Sequence, residues 1–271
     1  MQFLLSLAII ILSIYNPLMK KALTTAGFDP TGGAGIQADL KVFHALGVYG
    51  LSVVSSLTAQ NTEGVRDIMP VPGRFVKKQL EVLLSDLIPE ATKTGMLYSE
   101  SNVKVLAEII RKYALKNIVA DPVIVSSSGK RLVEKNMPVA LRKKIFPLCA
   151  VITPNIYEAS VLTGIDIKTR ADMEKAAVCL KEFGPENVII TGGHLDNVAL
   201  DVLYDGSFHY LKSRKVEGEY HGTGCTFSAA LTAMLAKGYS VPDAAKEAKK
   251  FMDRAFRKAF DTGGKMRLFK L

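Results

Sequence analysis

Ala22-Leu23-Thr24-Thr25-Ala26-Gly27-Phe28-Asp29-Pro30-Thr31-Gly32-Gly33-Ala34-Gly35 is the stretch on which the fold class turns. Ala22 to Ala26 has the apolar and β-branched character of a buried strand, and Gly27 punctuates it. Behind the glycines, Ile36, Leu40, Phe43 and Leu46 recur at helical spacing. The stretch therefore reads as strand, glycine-rich loop, helix. The loop is neither GxGxxG nor a P-loop, because no Gly-Lys-Ser/Thr follows it. Taken alone, it is either a tight turn or a place where backbone closes on a ligand.

The same alternation continues outward. Leu51–Ala59, Ile118–Ala120, Val151–Thr153 and Val188–Thr191 read as strands; 75–87, 103–113 and 173–183 read as amphipathic helices. The order breaks at Ala199–Tyr204 and Ser207–Leu211, two strands around Asp205-Gly206, the signature of a type I′ hairpin. Helices over 223–237 and 241–260 close the chain, the second with Ala244, Ala248, Phe251, Met252, Ala255 and Phe256 on one face. This predicts a mostly parallel sheet covered by helices in a single α/β domain, residues 19–271. Residues 1–18 differ: an almost unbroken apolar run, short for a membrane span and lacking the basic flank of a signal peptide. We read them as an N-terminal extension from a mis-assigned start, with an anchor or signal as the alternatives.

The chain has 271 residues, 48% hydrophobic and 23% charged, enough for a substantial core. Its three cysteines (Cys149, Cys179, Cys225) are scattered and form no CxxC, which argues against a disulfide framework or structural zinc and for a reducing cytoplasm. The net charge of +9 suits a polyanion or a small anionic substrate equally well. No aromatic–basic stripe accompanies it, so no nucleic-acid partner is expected.

In a parallel sheet, ligands bind beyond the carboxyl ends of the strands, which selects the loops. His221-Gly222-Thr223-Gly224-Cys225-Thr226 turns into a helix of small residues, aiming free N–H groups and a helix N-terminus at one point, a nest suited to phosphate. A cysteine in that first turn is expected to have a lowered pKa and to serve as base or nucleophile; the alternative is a packed thiol under a turn. Asn155 and Glu158 open another helix. They could hold hydrated Mg²⁺ or simply form a capping box, and their spacing fits both. Asp121 follows a strand, where it could hold a metal or cap a turn. His194 and His221 lie in glycine-flanked loops, favouring ligand contact, whereas His44 and His209 read as structural.

Seven motifs then occur in order: Asp29-Pro-Thr-Gly-Gly-Ala-Gly-Ile-Gln-Ala-Asp-Leu-Lys41, Leu57-Thr-Ala-Gln-Asn-Thr62, Lys93-Thr-Gly-Met96, Asp121-Pro-Val123, Thr153-Pro-Asn-x-x-Glu158, Gly192-Gly-His194 and His221-Gly-Thr-Gly-Cys225. Together they closely resemble the hydroxymethylpyrimidine/phosphomethylpyrimidine kinase family of the ribokinase-like superfamily, over about Lys20 to Phe260. The resemblance implies a three-layer αβα fold. It also implies ATP- and Mg²⁺-dependent phosphorylation of 4-amino-5-hydroxymethyl-2-methylpyrimidine, then of its monophosphate, in thiamine biosynthesis. It assigns Gln60 to the pyrimidine with Asp39 beside it, and Gly27, Met96 and Val123 to the ring pocket. Cys225 becomes the base, with the N–H groups of Gly222, Thr223, Gly224 and Cys225 stabilising the transferring phosphoryl group. Asp121, Asn155 and Glu158 order Mg²⁺ and its waters, and Thr191, Gly193 and His194 face the nucleotide. A cytoplasmic homodimer without stable membrane association completes the expectation.

Two departures stand out. Relatives often carry Lys where Thr191 stands, and the tail Gly263–Leu271 lacks their Gly-Pro-x-x-His pattern. The main alternative is a pyridoxal or pyridoxine kinase of the same fold; a non-catalytic ligand sensor is the alternative from another class.

Overall fold

The computed structural model describes residues 19–125, 131–192 and 198–271. The N-terminal extension and Gly193 and His194 lie outside the described residues. Nine strands form one sheet in the order β3-β2-β1-β4-β5-β6-β7-β8-β9. They are β1 (Lys21–Phe28), β2 (Tyr49–Asn61), β3 (Gly64–Pro70), β4 (Ala91–Thr94), β5 (Ile118–Ala120), β6 (Val151–Ile152), β7 (Val188–Ile190), β8 (Val198–Tyr204) and β9 (Phe208–Arg214). The β2–β1–β4–β5–β6–β7 ladder is parallel, and β3, β8 and β9 add antiparallel edges. The helices are α1 (Gly35–Ala45), α2 (Gly73–Leu84), α3 (Glu100–Lys112), α4 (Met137–Lys144), α5 (Ile156–Thr163), α6 (Arg170–Lys181), α7 (Thr223–Ala236) and α8 (Val241–Arg257).

Side chains alternate between the two faces of the sheet. Leu23, Ile118, Ile152, Val188 and Ile190 enter a core with α2 to α6. Their neighbours Ala22, Val119, Val151 and Ile189 enter a second core with α1, α7 and α8. Both faces are dry, which is why the parallel strands read as unbroken apolar runs. The three-layer αβα architecture is thus as expected. α7 is buried almost all round from Thr226 to Ala236, and its alanines let it lie close between α1 and α8. Among the described residues no helix is long and apolar enough to cross a membrane.

Some local expectations change. β1 runs through Gly27 to Phe28. The β8–β9 connection has three residues rather than two: Tyr204 pairs with Phe208, only Gly206 takes positive φ (120°), and the Asp205 side chain accepts from Ser207 N–H. A type I′ turn needs positive φ at two successive residues, so it is excluded here. β3, β4 and α4 carry no strong periodicity in the sequence. β4 in particular reads Ala-Thr-Lys-Thr, yet all four residues are buried.

The order in which strands are added reverses about β1, all running parallel: β2 lies on one side of it and β4 on the other. The carboxyl ends of β1 and β4 therefore flank the switch point at which open sheets bind ligands. Two register shifts occur close by. One sets Ser55 of β2 as an extra residue opposite Ala26/Gly27, and the other falls at Ala59/Gln60. Such bulges re-aim side chains. Ser55 Oγ donates to Met96 O, and buried Asn102 donates from Nδ2 to the carbonyls of Ser55 and Leu97, tying β2 to the segment after β4.

Candidate active site

Two glycine-rich segments meet above the switch point. Gly35 opens α1 with φ +59°, and a Cβ there would stand 2.3 Å from Gly27 O. Gly222, the residue before α7, has φ +76°, and its Cβ would stand 1.9 Å from Gly33 O. Only glycine fits such backbone-to-backbone contact. The packing brings Cys225 under the first loop, where Gly35 N–H hydrogen-bonds its sulfur. Gly27 in turn faces Met96, since a Cβ on Gly27 would meet Met96 Cε at 2.7 Å. Half-buried Val123 follows Asp121 on the next strand end and packs against the same core.

Beside these loops lies a hydrogen-bonded clip. Asp29 accepts from Thr31 N and Oγ1, from Ala34 N at 2.7 Å and from His221, whose Nε2 lies 2.8 Å from Asp29 Oδ2. Burial works to raise the Asp29 carboxyl, but His221 and Thr31 more than offset it and hold the group below the usual carboxylate range. Gln60 reaches the same imidazole, with Nε2 3.3 Å from His221 Nε2. The C-terminal segment backs the clip: Arg267 O accepts from His221 N, Leu268 packs at Gly33, and Tyr220, Phe256 and Phe269 form a stacked and edge-to-face cluster.

The floor is built of charge. Lys93 of β4 is wholly buried, with Nζ 3.0 Å from Asp39 Oδ2 and 3.9 Å from Asp121 Oδ2. Thr24 Oγ1 also donates to Asp39, at 2.6 Å, and Ser228 Oγ donates to Asp121, at 2.9 Å. One cation serves two buried carboxylates. Burial pushes both Asp39 and Asp121 up despite Lys93. Burial also works against the Lys93 charge, but Asp39, Cys225 and Asp121 outweigh it and hold the ammonium above its usual range. Among the described residues Asp39 Oδ1 has no partner. Asp39 is thus buried with Lys93 and Thr24, whereas part-buried Gln60 stands with His221 in the clip.

The expectation of a low thiol pKa at Cys225 is overturned. Burial pushes it up to about 12; Lys93 and the Gly35 N–H pull down, but burial together with Asp121 and Asp39 exceeds them. The thiol is protonated at neutral pH in this state.

Asn155 and Glu158 form the capping box in full. Asn155 Oδ1 accepts from Glu158 N at 2.9 Å and Glu158 Oε2 from Asn155 N at 3.0 Å, with Ile124 N on the other oxygen at 3.4 Å. Glu158 is nevertheless buried near Asp121, and burial followed by that like charge raises it well above the ordinary value. Among the described residues no three His, Cys, Asp or Glu converge as a metal cage. Thr191 bridges to Asn155 and donates N–H to Pro154 O, which brings the β7 end to the same edge. At α7, Thr223 and Gly224 are exposed and no side chain caps the helix, so its first N–H groups face outward. Sequence reasoning did not single out Lys93, Asp29, Thr24 or Ser228. The one available signal was that Asp29 and Lys93 each open a motif quoted above, without a role assigned to either.

A family profile for phosphomethylpyrimidine kinase matches residues 29–269. The hydroxymethylpyrimidine/phosphomethylpyrimidine kinase of Bacillus subtilis is 40% identical over 90% of this chain and 91% of its own length. A thiamine biosynthesis bifunctional protein of Geobacter sulfurreducens is 42% identical over 89% of this chain, which spans half of that longer protein. Among solved structures, a Bacillus subtilis pyridoxal kinase bound to ADP superimposes with TM-score 0.87 at 39% identity, covering 93% of this chain and 97% of that one. A Clostridium difficile phosphomethylpyrimidine kinase gives 0.78 at 40% identity, covering 87% and 99%. By motif order, by fold and by identity sustained along nine-tenths of its length, the chain belongs to the phosphomethylpyrimidine kinase family.

Proposed function

We propose that the protein transfers the γ-phosphoryl group of ATP to the hydroxymethyl oxygen of 4-amino-5-hydroxymethyl-2-methylpyrimidine and then phosphorylates the monophosphate, a step of thiamine biosynthesis. The observation that carries this reading is the meeting, at one switch point, of the α7 N-terminus at Gly222–Cys225, two glycine loops in backbone contact and a buried Lys93 array. Gln60, Gly27, Met96 and Val123 line the ring, and Asp39 supports the pocket from below through Lys93. The N–H groups of Gly222, Thr223, Gly224 and Cys225 face the charge of the transferring group. As the new O–P bond forms and the bond to ADP breaks, the hydroxyl proton passes to Cys225 as thiolate. Burial, then the Asp121 and Asp39 charges, push that thiol up to about 12, so binding must offset them before the thiolate forms.

Asp121 and Glu158, two carboxylates whose proton affinity burial raises, suit a Mg²⁺ held otherwise by waters and phosphate oxygens, which needs no full protein cage. Bound there, the ion would offset phosphate charge. Asn155, Thr191, Gly193 and His194 form the proposed nucleotide edge. The free cysteines fit a cytoplasmic setting, and a homodimer is the proposed assembly.

The test is product analysis with the pyrimidine, ATP and Mg²⁺, alongside pyridoxal. Mono- and diphosphate of the pyrimidine are expected. Turnover of pyridoxal with no diphosphate product would instead establish the second reading, a pyridoxal kinase, which the TM-score of 0.87 to such an enzyme favours. Cys225→Ala should lower kcat by about 10²- to 10⁴-fold with little change in KM, and undiminished turnover would remove Cys225 as the base.

A further inference from the structure

His221 has little freedom to turn. Its N–H is bonded to Arg267 O at 3.1 Å, and its ring lies against Gly33, where a Cβ would come within 2.6 Å of Cδ2. Among the described residues Nε2 has two polar neighbours, Asp29 Oδ2 at 2.8 Å and Gln60 Nε2 at 3.3 Å. The Asp29 carboxylate offers only lone pairs, so Nε2 must carry a hydrogen and donate it there. A nitrogen in that state has no lone pair left for the Gln60 NH2, and two donors would face each other. A glutamine amide presents either end after a half-turn, and the surrounding hydrogen bonds decide which. Here they admit one orientation: Gln60 Oε1 toward His221, sharing the Nε2 hydrogen with Asp29, and NH2 on the far side.

We propose that His221 is a specificity-determining positioning residue: clamped by Asp29, it fixes the Gln60 amide so that a bound ring must offer a hydrogen-bond acceptor to the Gln60 NH2. The ligand class follows from this. A heteroaromatic ring with an unprotonated nitrogen at that place is accepted, and one with N–H or C–H there is rejected. The inference rests on the reading of Gln60 as the ring contact, and its test separates the two.

Nitrogen-detected NMR of the imidazole in the ligand-free protein tests the clamp without any substrate. A hydrogen on Nε2 is expected, and a bare Nε2 with the hydrogen on Nδ1 overturns the proposal. Affinity is then measured for the hydroxymethyl pyrimidine and for its two analogues in which one ring nitrogen is C–H. One analogue should bind wild type about 10- to 100-fold more weakly, the cost of leaving a donor unpaired. In His221→Phe the amide is free to turn and this discrimination should collapse. His221→Gln, which keeps an N–H for Asp29, should restore it. The ratio does not depend on how much of each variant is folded. An unchanged ratio in His221→Phe overturns the proposal. Failure of wild type to bind the pyrimidine, with Nε2 protonated, refutes the pyrimidine reading and leaves the clamp standing.

Discussion

Asp29 and Asp39 stand ten residues apart on either side of one glycine loop, and the structure treats them in opposite ways. In the clip, Asp29 gathers donors from Thr31, Ala34 and His221, and its carboxyl is held low. On the floor, Asp39 has Thr24 and a share of Lys93, one oxygen has no partner among the described residues, and burial pushes it up. Both are nearly or wholly inaccessible. Depth alone therefore does not set the charge of a buried carboxylate; the number of donors that can reach it does.

The largest effect should come from breaking the floor. Lys93→Met leaves Asp39 and Asp121 without their cation, and loss of one partner from a buried ion pair costs about 3–5 kcal/mol. Chemical denaturation measures this, and a cost within experimental error of zero would mean the carboxylates are already neutral. Next is the clip. Asp29→Asn removes charge-assisted hydrogen bonds worth about 1.5–3 kcal/mol and loosens the Gly33–Gly222 contact.

The sharpest discrimination is by pH. The Asp29 carboxyl sits lower in the folded than in the unfolded chain. Its stabilisation is therefore present above the unfolded value and lost as pH falls through the folded one. Asp39 sits higher when folded, so its contribution grows more favourable as pH falls through its folded value. Denaturation midpoints taken from neutral to acid pH should show the cost of Asp29→Asn shrinking and that of Asp39→Asn growing. Parallel profiles for the two variants would erase the distinction. The smallest effect is at the α5 cap: Asn155→Ala removes a formed cap at about 0.5–2 kcal/mol, read from thermal unfolding.

The sequence by itself determined the αβα layering, because strands dry on both faces must be apolar throughout and covering helices must show one apolar stripe. It also located the two glycine loops, and it offered a capping box at Asn155–Glu158 as one of two readings that their spacing fits. What it could not show depends on contacts between residues far apart in the chain. Lys93 lies in a strand too short and polar to announce itself, and its role exists only where β1, α1, β4 and β5 converge. Cys225 has the helix-start position that ordinarily lowers a thiol, and tertiary burial beside Asp39 and Asp121 reversed the sign. His221 meets Asp29 across 192 positions and Gln60 across 161. Local pattern sets which elements form and where the backbone must be glycine. The charge of a buried group is decided by the sum of fields and donors around it, and only the folded chain brings those together.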